Sequence, residues 1–451
     1  MTKPAELVLL VSAFIRTRWG FRFRDRGSLE RWQKKQLARF IGGRLRNAAF
    51  YKACTARDIA TLPIVDKAVT LAQFAAFNTL GISLEDATNA ALAAERSLDR
   101  TAGVKTGWTA GLSSGTQGPR GVFLASARER ATWAGILLAR TLDPDLLKDL
   151  LLRRAPLRVA FFLRANSSLY TTLKSGRIDF RFFDLQRGAF AHVEALTQFE
   201  PDVLVAPASV LAWLAGESLA GRAAIGPRKI ISVAEVLEPD DELRIRAAFH
   251  KPVHQLYQCT EGFLAYTCEE GVLHLNEEFV HIEREWIDES HTRFRPVITD
   301  FTRRTQMFVR YRLDDILRVR AEPCACGRFT RALAAIDGRL DDVLWLPSAD
   351  HARLLPLFPD VVRHTFARDA NNVADYRIEQ HGDTLHLAVA GNNAVFDAIK
   401  LAIDKLAISQ GMEPLPWQRV EMSAPGPAAK RRRIVCVSRP AARSVRIPDD
   451  T

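Results

Sequence analysis

From Leu157 onward the chain alternates between short apolar runs and stretches with helical spacing. LRVAFFL, IDFRFFDL, PDVLVA and RKIISVAEV read as strands, and AFAHVEALTQF and DDELRIRAAF between them read as helices. Strands separated by helical segments predict crossovers into a mostly parallel sheet, an α/β architecture. Ligands of open sheets sit beyond the carboxyl ends of the strands. YQCTEG, Tyr257 to Gly262, follows directly on the strand-like PVHQL and falls at such an end. Upstream, Leu29, Trp32, Leu37, Phe40, Ile41 and Leu45 recur at helical spacing, which predicts a helical amino-terminal element over about residues 1–60.

The pattern changes after DGRLDD, Asp337 to Asp342. A hairpin-like pair follows, YRIEQ and TLHLAVA around His381-Gly382-Asp383, then the helical AVFDAIKLAIDKLAI and the strand-like WQRVEMS. This predicts a small α+β domain over residues 338–451, behind a large domain over residues 1–337. No internal repeat or low-complexity segment interrupts either.

The longest early apolar run, Leu7 to Ile15, is broken by Ser12 and falls well short of the roughly 20 residues that span a bilayer. It lacks a small-residue cleavage site, so it is not read as a signal peptide. Arg16, Arg18, Arg22 and Arg24 follow it. A packed amino-terminal helix is the favoured reading over a membrane-contact helix, and no stable membrane insertion is expected.

The 451 residues, 47% hydrophobic and 25% charged, fit a soluble globular protein with room for two or three domains. The net charge of +11 comes from Lys and Arg spread along the chain. No basic-aromatic module stands out, so anionic small molecules are expected as partners and nucleic acid is not. The one dense basic cluster, KRRRIVCVSRPAARSVR from Lys430 to Arg446, reads as a solvated tail. Six cysteines in a chain of this length make no disulfide framework and point to the cytoplasm.

SSGTQGPRG, Ser113 to Gly121, gathers small and hydroxyl-bearing residues and places an arginine near its end. Such a loop can bring backbone N–H groups and hydroxyls close to an anion, because glycine carries no side chain to hold the anion away. A polyphosphate is the natural candidate. Three further elements follow in order: YQCTEG, then RYRLDD at Arg310 to Asp315, then GRLDD at Gly338 to Asp342.

In that order, with a basic segment near the end, the elements resemble the adenylate-forming ligases that make acyl adenylates from ATP and a carboxylate. Within that superfamily the chain looks closest to the branch of phenylacetate–CoA ligases and the coenzyme-F synthetases of methanogens. Trp32-Gln33 in the helical amino terminus, the form of the SSGTQGPRG loop, and CACGR at Cys324 to Arg328 carry that choice.

The resemblance implies a large ATP- and acyl-binding domain and a small carboxy-terminal lid. It places Ser113, Ser114, Gly115, Thr116 and Gly118 on the β- and γ-phosphates, with Arg120 as a cationic clamp where the family commonly has lysine. Ala234 and Glu235 of SVAEV continue the ATP pocket, and Tyr257 stacks on adenine. Thr260 meets phosphate, and Glu261 supplies the oxygen ligand that Mg²⁺ requires. Asp315 binds the ribose hydroxyls as an acceptor-only carboxylate, although Asp314 precedes it where relatives often have Gly or Arg. Arg339 also reaches the nucleotide, and Asp341 is the hinge about which the lid rotates. Lys430, in PGPAAKRRR, matches the lysine whose charge stabilises the transition state, with alanines where relatives carry glycine or serine.

The activity implied is activation of a carboxylate, aromatic by the resemblance, as acyl-AMP with release of pyrophosphate, followed by acyl transfer to CoA or another acceptor. Two alternatives stay open: nucleotidyl transfer to a hydroxyl of a cofactor-like molecule, and a non-catalytic ATP-binding relative. The partners expected are a small carboxylate and an acyl acceptor, in a monomer or homodimer.

Cys268 and His274 flank a predicted turn, CEEGVLH, and Cys324 and Cys326 sit on a Gly-bounded loop. One imidazole and three thiolates suit a structural Zn²⁺. Four packed, metal-free residues are the competing reading. Cys259, inside YQCTEG, is read as small-residue packing rather than as a nucleophile. RANSSLYTTL, Arg164 to Leu173, is placed at the acyl pocket.

Overall fold

The computed structural model describes residues 3–53, 55, 58–96, 104–105, 107–112, 120–152, 155–163, 176–185, 189–359, 361–362, 365, 376–390, 392–422 and 432–440. The chain forms two compact units. One comprises residues 1–313 with 318–335, the other 314–317 with 336–451.

The large unit opens with helices α1 (Lys3–Ile15) and α2 (Arg26–Gly42), the short helices α3 (Ala49–Lys52), α4 (Lys67–Ala72) and α5 (Phe74–Phe77), and α6 (Leu84–Arg96). Asp25 and Ser28 form a reciprocal capping box that starts α2, and its apolar face buries Leu29, Leu37, Phe40 and Ile41. Strands β1 (Val104–Lys105), β2 (Trp108–Leu112) and β3 (Val122–Ser126) make a three-stranded antiparallel sheet. Helix α7 (Ala127–Thr141) follows, capped by Ser126 and Glu129.

As expected, α1 packs, and it does so against α7. A Cβ at Gly135 would come within 2.2 Å of the Leu10 carbonyl, so glycine is what lets the two helices approach. The opposite side of α1 leaves Leu7, Val8, Val11 and Ile15 exposed.

The alternating pattern becomes α8 (Pro144–Leu152), β4 (Leu157–Leu163), β5 (Ile178–Asp184), α9 (Val193–Phe199), β6 (Val203–Pro207), α10 (Ala208–Leu219), β7 (Lys229–Val233), α11 (Pro239–Phe249) and β8 (Val253–Gln258). These strands pair in parallel in the order β5-β4-β6-β7-β8. All five residues of β6 are buried. Leu204 and Ala206 join a core with Leu196, Leu211, Leu214 and Ile245 of the flanking helices, and Val203 and Val205 face a second core with Leu146. Burial on both faces explains why this strand is a continuous apolar run.

From β8 the sheet continues through β9 (Phe263–Thr267), β10 (Leu273–Leu275), β11 (Val280–Trp286), β12 (Arg293–Asp300), β13 (Tyr311–Arg312), β14 (Asp315–Val319) and β15 (Ala332–Arg339) in the order β8-β9-β10-β15-β14-β12-β11, with β13 beside β12. The β8–β9, β9–β10, β10–β15, β11–β12 and β12–β13 pairings are antiparallel. The chain divides between the two units along β14 and β15.

The small unit contains the pair β16 (Leu344–Pro347) and β17 (Leu354–Leu357). Its larger sheet has the order β20-β19-β18-β21, built from β18 (Tyr376–His381), β19 (Thr384–Val389), β20 (Trp417–Val420) and β21 (Ile434–Ser438). Helix α12 (Asn393–Ser409) packs Ile399 and Ile403 onto Ile378 and Leu387 of this sheet. The expected hairpin is present: His381 pairs with Thr384 across Gly382-Asp383, with Gly382 at φ +58°.

One expectation is corrected. IVCVS, inside the cluster read as a solvated tail, is strand β21, pairing in parallel with β18. Ile434 and Val435 are each only 2% exposed. Arginines on both sides mask this short apolar run, so its charge average resembles a tail although two of its side chains close the core.

The molecule is therefore a mixed α/β protein with a large sheet, parallel from β5 to β8, and a smaller carboxy-terminal sheet. Among the described residues, no helix is long and apolar enough to cross a membrane.

Candidate active site

Strands β7 and β8 run side by side with Val233 opposite Leu256. The residues that follow each strand therefore emerge together at the carboxyl edge: Ala234-Glu235 from β7, and Tyr257 to Gly262 from the end of β8. Ala234 holds φ +65°, a left-handed conformation unusual for a residue with a Cβ. The Glu235 N–H donates to the Val233 carbonyl at 2.8 Å, closing the corner. The Glu235 carboxylate accepts from Ser209 N–H at 3.1 Å and from Ser209 Oγ at 2.6 Å. Helix α10 begins after Pro207, which offers no side-chain cap, so Glu235 supplies an acceptor and negative charge at its positive end.

After β8 the chain reverses in a four-residue turn. The Cys259 N–H donates to the Gly262 carbonyl at 3.0 Å, and the Gly262 N–H returns to Cys259 at 3.3 Å. Thr260 and Glu261 occupy the turn between them, with Thr260 Oγ1 donating to Glu261 Oε2 at 2.8 Å. Tyr311 hydrogen-bonds Glu261; burial first, and then the Glu261 charge, push its phenol well above the usual range. Cys259 Sγ donates to the Gly262 carbonyl at 3.6 Å, in keeping with a packing role. Tyr257 is buried on β8.

Behind the turn stands Arg303, 2% exposed. Its Nη2 donates to the Thr260 carbonyl at 2.6 Å, and its Nε lies 3.4 Å from Asp300. Burial raises the Asp300 pKa, and Arg303 with Thr302 opposes that rise. The neighbouring segment is fixed by Glu129, whose carboxylate accepts from Arg304 N–H at 2.7 Å, Thr305 N–H at 3.0 Å and Ser126 N–H at 2.8 Å. Burial works against the Glu129 charge, but Arg303 and these hydrogen bonds hold its pKa below the ordinary value. Sequence reasoning gave Arg303, Asp300 and Tyr311 no role. Two arginines among polar residues in FTRRTQ look like solvated surface, and Tyr311 sits inside a motif read for its aspartate.

In the small unit, Arg339 Nε lies 3.8 Å from Asp315, and its Nη2 3.7 Å from Asp314. The Arg339 N–H donates to Asp342 at 2.8 Å, and the Leu340 N–H to the Asp314 carbonyl at 2.7 Å. Gly338 holds φ +124°, and a Cβ there would meet Asp342 Oδ2 at 3.0 Å. Arg432 Nε donates to Asp342 at 2.8 Å, anchoring the start of β21 to this turn. Asp341 lies in the short helical turn Leu340–Asp342, and its side chain is outside the described residues. Arg120 stands two residues before β3. Ser113, Ser114, Gly115, Thr116 and Gly118, the RANSSLYTTL patch and Lys430 also lie outside the described residues.

The Cys268, His274, Cys324 and Cys326 ligand atoms all lie within 4.8 Å of one another. Cys268 Sγ is 3.7 Å from Cys324 Sγ, and Cys326 Sγ is 3.4 Å from His274 Nε2. Tetrahedral zinc with bonds of about 2.3 Å to sulfur and about 2.0 Å to nitrogen sets such separations near ~3.8 Å and ~3.5 Å. His274 Nδ1 is 3.1 Å from both Thr330 O and Thr330 Oγ1, which turns Nε2 toward the sulfurs. Burial lowers the His274 pKa. The donor set fits the metal.

No protein-family model matches the sequence, and no curated protein is similar to it. Solved structures are similar in fold. One is 2-hydroxyisobutyryl-CoA ligase in the postadenylation state in complex with 2-HIB-AMP: 16% identity over 92% of this chain and 89% of that chain, TM-score 0.57. An open conformation of that ligase, with 2-HIB-AMP and CoA, matches at 16% identity over 91% of each chain, TM-score 0.52. The amide bond synthetase McbA from Marinactinospora thermotolerans matches at 12% identity over 71% of this chain and 67% of that chain, TM-score 0.50. The chain shares the fold of these enzymes.

Proposed function

We propose that this chain is an ATP-dependent adenylate-forming ligase, activating a carboxylate as acyl-AMP and passing the acyl group to CoA or another acceptor. The observation that carries this reading is the hydrogen-bonded Thr260–Glu261 turn, set beside the Ala234–Glu235 corner at the carboxyl edge of β7 and β8. That is where an open α/β sheet binds its ligand. The fold is shared with ligases solved holding 2-HIB-AMP, and in one case CoA as well.

In this reading a substrate carboxylate oxygen attacks the α-phosphorus of ATP, and the bond to the leaving pyrophosphate breaks. Ser113, Ser114, Gly115, Thr116, Gly118 and Arg120 hold the phosphates, Ala234 and Glu235 continue the ATP pocket, Tyr257 stacks on the adenine, Asp315 binds the ribose and Arg339 also reaches the nucleotide. Thr260 positions a phosphate oxygen, and Glu261 would hold Mg²⁺, which neutralises phosphate charge when bound. Lys430 stabilises the charge that develops in the transition state. The acceptor's nucleophile then attacks the acyl carbon and AMP leaves, with the small unit turning about Asp341 between the two half-reactions. Cys268, His274, Cys324 and Cys326 would hold a structural Zn²⁺, and the cytoplasm is the compartment this chemistry suits.

The test is carboxylate-dependent pyrophosphate release from Mg·ATP across aryl, arylacetic, cinnamic and short hydroxy acids, with and without CoA. Release with one acid, lost in Glu261→Ala, is expected. Silence across the panel while ATP still binds would overturn the reading.

A further inference from the structure

The large unit contains a cavity walled by arginines. The cavity, of about 230 Å³, opens between the amino-terminal helices and α7, and none of the candidate nucleotide or metal residues lines it. Four arginines from separate parts of the sequence meet in its wall: Arg16 just after α1, Arg44 just after α2, Arg128 in the first turn of α7, and Arg304 in the segment fixed by Glu129.

Among the described residues, none of these four guanidinium groups lies within ion-pair distance of a carboxylate. Arg44 reaches only the Phe301 carbonyl, at 3.4 Å, and Arg16 lies 5.3 Å from the ring centres of Phe21 and Trp32. The two acids in the wall are committed elsewhere. Glu129 is taken up by Ser126, Arg304 N–H and Thr305, and Glu278 pairs with Arg140 at 2.8 Å. Burial lowers the pKa values of Arg44 and Arg304, the guanidinium of Arg128 adds to the fall in both, and Glu129 opposes it. Gln36 also lines the cavity, with an Nε2 donor sealed from solvent and without a hydrogen-bond partner.

Four cations and a spare donor converge on one space whose two carboxylates are engaged elsewhere, an arrangement better balanced around a dianion than alone. Guanidinium forks match phosphate oxygens two at a time. The volume sits below the ~300–1,000 Å³ usual for drug-sized ligands. At about 30 Å³ per water it admits a phosphate with at most a small organic group. Trp133 offers an aromatic wall for such a group.

We propose that this cavity binds a small dianion of the phosphate class, free phosphate or a short phosphate ester, at a site separate from the nucleotide residues. The proposal stands independently of the adenylation chemistry.

The full chain, free of nucleotide, is titrated calorimetrically at fixed ionic strength with inorganic phosphate and with phenyl phosphate. Arg44→Gln and Arg304→Gln are each expected to weaken binding about tenfold or more, the effect of losing a charge-assisted hydrogen bond. Gln36→Leu, which leaves the charges in place, is expected to weaken it several-fold. Arg120→Gln, beside the candidate triphosphate loop, is expected to leave it unchanged. Tighter binding of phenyl phosphate would assign an ester as the ligand, and equal binding the free ion. In phosphate-free buffer Arg304→Gln is expected to raise the Tm by relieving repulsion, and to abolish the phosphate-dependent rise seen in the parent chain. Phosphate affinity unaffected by both arginine variants, or lost only in Arg120→Gln, would overturn the proposal.

Discussion

Arg303 donates to the carbonyl of Thr260 at 2.6 Å, from between the rings of Trp133 and Phe308, whose centres lie 4.4 and 4.7 Å from its guanidinium carbon. The candidate magnesium-binding turn is thus held from behind by a buried cation that has Asp300 as its counter-charge. A turn of four residues has little stiffness of its own, and this contact fixes the peptide immediately before Glu261.

Removing Arg303 should therefore cost more than an ordinary surface arginine. Arg303→Met leaves Asp300 buried without its partner, and breaking such a pair costs about 3–5 kcal/mol. Urea unfolding is expected to show a loss of that order. Arg303→Lys retains charge but loses the planar fork, and is expected to fall between Met and the parent chain. A loss below about 1 kcal/mol in Arg303→Met would show that solvent, not Asp300, compensates the cation.

The four metal-type side chains predict a measurable metal. Purified protein is expected to carry about one zinc per chain, the stoichiometry of a closed tetrahedral site. Cys326→Ser is expected to reduce that content sharply and to lower the Tm, and prolonged exposure of the parent chain to a strong chelator should do the same. Zinc, but not magnesium, should restore the Tm. Absence of zinc from carefully purified protein would leave the four residues as packing alone.

His254 on β8 gives the large unit an acid limit. Burial, and then the Lys229 charge, lower its pKa to about 4, with Asp143 acting in the opposite direction. The folded chain therefore binds fewer protons here than the unfolded chain between about pH 4 and the ordinary value of 6.5. Its contribution is fully present above pH 6.5 and is lost as pH falls through that window, by up to about 3 kcal/mol. His254→Gln is expected to flatten the stability profile between pH 6.5 and 4. An unchanged slope would assign the acid sensitivity to other groups.

Much of this could be read before the structure was in hand. The continuous apolar strands β4, β6 and β7 carry their burial in their composition, and Gly382-Asp383 between alternating runs marks the hairpin. YQCTEG gave the turn, and four cysteine and histidine positions far apart in sequence gave the cluster. What escaped was decided by distant contacts. Arg303 is legible only once Asp300, Trp133 and Phe308 surround it. The arginine-lined cavity exists only because Arg16, Arg44, Arg128 and Arg304 are brought together from separate segments. Strand β21 was hidden by the charges on either side of it.

That strand has a consequence for the sheet it joins. β20 and β21 lie at opposite edges of a four-stranded sheet, and Ile378 of β18 pairs with Ile434 of β21. A one-residue slip in that pairing would turn the Ile434 side chain, 2% exposed, to the other face of the sheet. One alignment between two strands far apart in the chain therefore decides whether the core of the small unit is closed or left open.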